Sequence, residues 1–279
     1  MAPIEERYAD ADGHRLRYLE GGEGDPLLLC HGGLIDAAHC SWGEVIGPLS
    51  DRFRVIAPDL LGYGKSDRPE IAYSTKRHVA TTESFLDSLG IEDAHAVGLS
   101  VGGSVAIGLA LRSPDRVDRL VPVASYGLGP ELPNGRLTFL LSRLPALNRA
   151  SLSIARRSRR LTKASLSGIA HDPDALSSEA VDCVHELLQR PDAGRAYRSW
   201  RRHEVGSSGF RTDYRSRLPE IDAPTLFVHG RDDEVFPPEW SALAAERMDA
   251  ACWILPETGH WVPRERPEQF VERLIEFLD

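Results

Sequence analysis

Gly98-Leu99-Ser100-Val101-Gly102 sets a serine between two glycines where an apolar strand pattern, Ala94 to Gly98, gives way to a helix pattern, Val101 to Leu111. A serine on such a strand-to-helix turn has a strained backbone and a hydroxyl held clear of the sheet. Gly98 and Gly102 suit that turn because a side chain at either would collide with the neighbouring strand or helix. A bare G-x-S-x-G also occurs in ordinary turns. The reading therefore depends on what surrounds it.

Outward from this stretch, apolar runs at Leu27 to Cys30, Val55 to Ala57, Leu120 to Val123, Thr225 to His229 and Cys252 to Leu255 read as further buried strands of a mostly parallel sheet. Helical stripes fall between them: Val79, Thr82, Leu86 and Leu89 form one, and Phe270, Val271, Leu274, Ile275 and Leu278 another. Arg7 to Asp10 and His14 to Glu20 flank Asp12-Gly13, which predicts an opening antiparallel hairpin. The fold class is α/β, an open, mostly parallel sheet flanked by helices. The alternation stops after Val123 and resumes at Thr225. In that gap Leu137, Leu140, Leu141 and Leu144 recur at helical spacing, as do Val181, Val184, Leu187 and Leu188, with Pro133, Pro145, Pro173 and Pro191 as punctuation. This predicts a core of residues 1–125 and 219–279 carrying an inserted helical cap, 126–218. Gly206-Ser207-Ser208-Gly209 reads as a flexible return to the sheet.

The 279 residues suffice for a large core, and the apolar and charged fractions are those of a soluble globular protein. No apolar run reaches membrane-spanning length and the N-terminus lacks a signal-peptide pattern, so a cytoplasmic protein without stable membrane insertion is the default expectation. Cys30, Cys40, Cys183 and Cys252 lie far apart with no C-x-x-C spacing, and all four are expected to be reduced packing residues. A net charge of −9 argues against nucleic-acid binding, which needs a basic face. The charge is unevenly spread: Leu132 to Ala170 holds Arg136, Arg143, Arg149, Arg156, Arg157, Arg159, Arg160 and Lys163 and no acid. These arginines read as a solvated face or as an attraction for an anionic substrate or surface.

A serine hydroxyl is a poor nucleophile near neutral pH, so it needs a base within reach and a third group to fix the base's tautomer. His260, in Glu257-Thr258-Gly259-His260-Trp261, follows the last apolar strand, where an open α/β sheet places its site. The acid is expected after another strand, in Gly230-Arg231-Asp232-Asp233-Glu234; spacing favours Asp233, with Asp232 second. The oxyanion of acyl transfer needs backbone donors already facing it. Val101 N–H is one candidate, at a helix N-terminus. Gly33 is the other, with Leu34 in reserve, from Cys30-His31-Gly32-Gly33-Leu34, in which His31 is read as holding the loop. Trp261, Leu99 and Leu140 are the candidate substrate contacts. No cofactor and no metal is expected.

Together these stretches resemble the α/β-hydrolase family in the sheet portions on both sides of the insertion. Gly98 to Gly103 looks like its nucleophile elbow, His31-Gly32-Gly33 its oxyanion turn, Gly230-Arg231-Asp232-Asp233 its acid loop, Gly259-His260-Trp261 its histidine loop, and Pro58 to Ser66 a loop common in that family. The resemblance implies an acyl-enzyme mechanism on Ser100, Asp233 and His260, with the inserted helices as a cap over the site. The leading expectation is hydrolysis of small to medium carboxylic esters. The alternative is carbon–carbon hydrolysis of vinylogous diketones from aromatic ring cleavage, a subgroup that Gly259-His260-Trp261 resembles but in which asparagine commonly stands at the position of Leu99. Epoxide and haloalkane chemistry would need an aspartate at Ser100. Gly64-Lys65-Ser66 fails as a Walker loop because Asp59 stands where glycine is required, and His185-Glu186 lacks the second histidine of a zinc protease. A non-catalytic small-molecule receptor is the rival class. The expected partner is a small-molecule substrate, with monomer and homodimer both open.

Overall fold

The computed structural model describes residues 3–130, 139–140 and 144–279. An opening hairpin pairs β1 (Glu5–Ala11) with β2 (His14–Gly21) around Asp12 and Gly13, both at positive φ as its two-residue turn requires. Then follow β3 (Pro26–Cys30), α1 (Ala38–Leu49), β4 (Arg54–Pro58), α2 (Thr75–Ser88), β5 (Ala94–Leu99), α3 (Val101–Arg112) and β6 (Val117–Val123). After the insertion come β9 (Leu226–Gly230), α8 (Glu239–Met248), β10 (Ala251–Leu255), α9 (Val262–Glu265) and α10 (Pro267–Leu278). The eight-stranded sheet has the order β1-β2-β4-β3-β5-β6-β9-β10; the β1–β2 and β2–β4 pairs are antiparallel and the rest parallel.

The strands read as continuous apolar runs because both faces are covered. Along β3 the side chains alternate: Leu27 and Leu29 join Trp42, Val45 and Phe270 on one side, while Leu28 and Cys30 join Phe85, Ile107 and Phe227 on the other. The chain leaves β3 for β4 on one side and crosses back to β5 on the other, so the switch in strand order lies between β3 and β5. Ligand sites of open α/β sheets form at such a switch, outside the carboxyl ends of the strands. Here Cys30 stands level with Gly98, which brings the His31-Gly32-Gly33 turn beside the Ser100 elbow.

Between β6 and β9 lie α4 (Pro145–Ala155), α5 (Arg159–Ser165), α6 (Ser178–Leu188), α7 (Arg195–Glu204) and a small antiparallel hairpin, β7 (Val205–Gly206) with β8 (Gly209–Phe210). Gly206-Ser207-Ser208-Gly209, expected as a flexible return, is the turn of that hairpin. Val181, Val184, Leu187 and Leu188 are buried as their spacing predicts; Leu137 and Leu141, with Arg136 and Arg143, lie outside the described residues. No helix among the described residues is long and apolar enough to cross a membrane.

The cysteine expectation needs correction. Cys40 on α1 and Cys183 on α6 form a disulfide with Cα atoms 5.6 Å apart, and only Cys30 and Cys252 are free. The partners are 143 residues apart, and local spacing carries no trace of a contact made when an inserted helix packs on α1. Arg264 of α9 reinforces the joint: its fully buried guanidinium pairs with Glu44 of α1 and Glu179 of α6.

Candidate active site

Ser100 joins β5 to α3 at φ 55° and ψ −113°, a conformation that persists only where the surroundings over-determine it. They do so here through three backbone hydrogen bonds. Ser100 N–H donates to Val123 O (2.8 Å), and Ser100 O accepts from Ser104 N–H (3.2 Å) and Tyr126 N–H (3.1 Å). The turn also needs its glycines: a Cβ on Gly98 would stand 2.1 Å from Gly102 O, and one on Gly102 2.1 Å from Cys30 O.

Val101 opens α3, so its N–H has no acceptor within the helix and is available to a ligand. Gly33 lies against it: a Cβ there would be 2.9 Å from both Val101 Cγ2 and Tyr197 Cδ2. Leu34 follows at φ 62°. Two groups brace this turn. His31 Nε2 accepts Leu60 N–H (2.9 Å), which leaves Nδ1–H to donate to Gly32 O (2.8 Å), so one tautomer satisfies both contacts and His31 is a loop brace, as expected. Asp36 accepts from Ser41 Oγ (2.7 Å), Ala37 N–H (2.8 Å) and Gly32 N–H, while burial pushes its carboxyl above the ordinary carboxylate range.

The acid loop leaves β9 and the histidine loop leaves β10, adjacent parallel strands. Asp233 Oδ2 lies 2.7 Å from His260 Nδ1, and Oδ1 accepts from Val235 N–H (2.7 Å) and Phe236 N–H (3.1 Å). Burial alone would raise the Asp233 pKa, but the His260 charge and the hydrogen bonds from His229 and His260 outweigh it and hold the carboxyl well below its usual range. Asp232 turns outward instead, 41% exposed at its side chain and 3.6 Å from His171, so of the two acids it is Asp233 that lies against His260. His260 N–H and Trp261 N–H both donate to Ile169 O (2.8 and 3.1 Å). Glu265 gathers the same loop by accepting from Gly259, Trp261 and His171 N–H groups.

Ser100 and His260 open onto one cavity of about 330 Å³. Gly33, Leu34, Leu99 and Trp261 line it too, as the sequence suggests. Leu140 does not: it is 60% exposed and absent from the lining. Helical spacing tells which side chains share a face but not which way that face turns, and the wall is built instead by Leu152, Leu166, Ile169, Val184 and Leu188. A small recess shares Leu34, Ile35 and Asp36 with this cavity and is lined by Arg68 and Arg190. His229, Glu265 and Asp36 were missed by sequence reasoning. For His229 the only available signal was its place two residues before the Arg231-Asp232-Asp233 stretch; for the other two there was none. Among the described residues, His39, Cys40 and Cys183 are the one histidine–cysteine group close enough to share an ion, and the disulfide occupies both sulfurs.

Comparisons with known proteins point to the same fold. The family model described as alpha/beta hydrolase fold matches residues 25–267. The chain is 31% identical over 278 residues to a 2-hydroxy-6-oxo-6-(2'-aminophenyl)hexa-2,4-dienoic acid hydrolase of Metapseudomonas resinovorans, covering 98% of this chain and 90% of that one. It is 33% identical over 275 residues to a 2-hydroxymuconate semialdehyde hydrolase of Pseudomonas putida, covering 96% and 92%. A meta-cleavage product hydrolase of Pseudomonas fluorescens IP01 superposes with a TM-score of 0.81 at 28% identity, covering 98% of this chain and 97% of that one. The chain belongs to the α/β-hydrolase fold family, and it is a hydrolase of that fold.

Proposed function

We propose that this hydrolase cleaves a carbon–carbon bond next to a ketone, in vinylogous diketones of the 2-hydroxy-6-oxo-dienoate type, with Ser100 as nucleophile, His260 as base and acid, Asp233 as its orienting carboxylate and residues 126–218 as the cap. The observation that carries the reading is the Asp233–His260 hydrogen bond of 2.7 Å, with His260 lining the same cavity as the strained Ser100. The substrate class is supported by the relatives, which together match nearly the whole chain. It displaces simple esters as the first expectation.

The chemistry follows from the parts. With the dienol in its keto form, Ser100 Oγ adds to the C6 carbonyl as His260 Nε2 takes its proton, and the oxyanion meets the Val101 and Gly33 amides, with Leu34 as the reserve donor. Collapse of the tetrahedral intermediate breaks the C5–C6 bond. The electron pair passes into the conjugated 2-oxo acid, which is why so poor a leaving group can depart, and His260 returns the proton to that fragment. Water, deprotonated by His260, then releases the acyl group from Ser100 as a carboxylic acid. The second product is 2-hydroxypenta-2,4-dienoate. Arg68 and Arg190, lining the adjoining recess, are the guanidinium groups toward which the substrate carboxylate would extend.

Ester hydrolysis stands as the second reading because Leu99, beside the nucleophile, is apolar and no Lys or Arg among the described residues lines the main cavity. The test is a substrate panel: 6-alkyl and 6-aryl 2-hydroxy-6-oxo-hexa-2,4-dienoates against esters graded by acyl length. Higher kcat/KM on the dienoates, with both products identified, supports the first reading. Turnover of esters alone overturns it.

A further inference from the structure

Asp233 Oδ2 is shared by two imidazoles. His260 Nδ1 lies 2.7 Å from it and His229 Nε2 2.9 Å. His229 is the penultimate residue of β9 and is fully buried. Its Nε2 is also 3.1 Å from Phe236 O, and its Nδ1 is 2.7 Å from Ser241 Oγ on α8. An ionised carboxylate and a carbonyl can only accept, so Nε2 must carry the proton; Nδ1 is then free to accept the Ser241 hydroxyl. The result is a chain in which Ser241 O–H fixes the His229 tautomer, and His229 N–H donates to the oxygen that also receives His260 N–H.

We propose that His229 is a positioning residue for the acid: its N–H holds Asp233 Oδ2 against rotation and takes up part of that oxygen's charge, and so sets how strongly that oxygen holds the His260 N–H. The inference rests on reading Ser100, His260 and Asp233 as a catalytic triad. A carboxylate oxygen with two N–H donors is less basic than one with a single donor. Without His229 the oxygen would carry more charge toward the His260 ring and grip its imidazolium form harder. Among the described residues the titratable groups facing His229 are Asp233 from its own loop and, across that carboxylate, His260 from the loop after β10; α8 presents the neutral Ser241, and β10 sets Ile254 beside His229.

The test follows the labelling rate of Ser100 by a fluorophosphonate against pH, in wild type, His229→Met, His229→Gln and Ser241→Ala. Fluoride leaves as Ser100 Oγ bonds to phosphorus, so the rate reports the His260–Ser100 pair without a known substrate. In His229→Met the acid limb is expected to move up by about 1 pH unit and the plateau to fall about tenfold, the scale of one hydrogen bond to a charged group. His229→Gln can still aim an amide N–H at Asp233 and should recover most of both changes. Ser241→Ala, which frees the ring, should shift the limb the same way by less, and it provides the readout if His229→Met does not fold. Limbs that coincide with wild type in His229→Met and Ser241→Ala, or a His229→Gln as impaired as His229→Met, overturn the proposal while leaving the triad intact. A wild type that labels no faster than Ser100→Ala removes the triad and this inference with it.

Discussion

Breaking the Cys40–Cys183 bond should weaken the whole protein and the α1–α6 joint in particular. The bond closes a loop of 143 residues between α1 and α6, and the loss of unfolded-chain entropy for a loop of that length amounts to roughly 5 kcal/mol, of which native disulfides commonly deliver about 2–4. Against a total stability of about 5–15 kcal/mol that is a large share. For a chain of this size it corresponds to a fall in Tm of roughly 3–7 °C. The assay is thermal and urea unfolding of protein purified without reductant, repeated with dithiothreitol and on Cys40→Ser/Cys183→Ser. The double variant should match reduced wild type, and reductant should not change it further. Thiol titration of the denatured, unreduced chain should count Cys30 and Cys252 alone. Four reactive thiols, or a Tm indifferent to reductant, would refute the pairing.

Burial gives a second prediction. Among the described residues neither ring nitrogen of His78 has a hydrogen-bond partner, and the ring is held neutral, its pKa lowered from the ordinary 6.5 to about 3 chiefly by burial. The unfolded chain therefore binds a proton that the native state refuses, and stability is full above pH 6.5 and lost as pH falls toward 3, at about 1.4 kcal/mol per pH unit for this group. His78→Phe should flatten that slope in urea titrations over this window; an unchanged slope would remove His78 as its source. Gly33→Ala should cut kcat by about 10²–10³ with the fold retained in circular dichroism, because its Cβ pushes the oxyanion turn off Tyr197 and Val101; a near-normal kcat would move that donor elsewhere. Leu188→Ala should widen the cavity and shift preference toward bulkier acyl groups, whereas Leu140→Ala, at a 60% exposed position, should leave KM within about twofold. Equal effects from the two would contradict the lining described above.

Much of this site was legible in the chain because its strongest constraints are local. Gly98 and Gly102 are required by contacts of 2.1 Å within one turn and its neighbouring strand, and a requirement of that kind leaves glycines in sequence. His260 and the acid loop could be placed because an α/β sheet gathers its strand ends on one edge. The choice between Asp232 and Asp233 rested on motif spacing alone, since both follow β9 and only the turn decides which faces inward. What stayed hidden was carried by packing between distant segments. Cys40 and Cys183 meet because α6 docks on α1. Glu265 reaches back over its own helix start to hold three amides, one of them His171 from a distant segment. Asp36 instead holds near neighbours, Gly32, Ala37 and Ser41, and stayed hidden because its residue type does not tell a brace from an exposed loop acid. Leu140 was misassigned for a related reason, since periodicity defines a helix face without orienting it. The Leu137 and Leu141 part of that stripe lies outside the described residues.

The most direct test of the central claim is intact-protein and peptide mass spectrometry after fluorophosphonate treatment, run on wild type, Ser100→Ala, His260→Ala and Asp233→Asn. A single adduct on the Ser100 peptide is expected in wild type, absent in Ser100→Ala and formed far more slowly in the other two. Turnover of the best panel substrate should fall on the order of 10⁶-fold in Ser100→Ala. An adduct on another residue, or Ser100→Ala turning over like wild type, would contradict the assignment of Ser100, His260 and Asp233 as one catalytic unit.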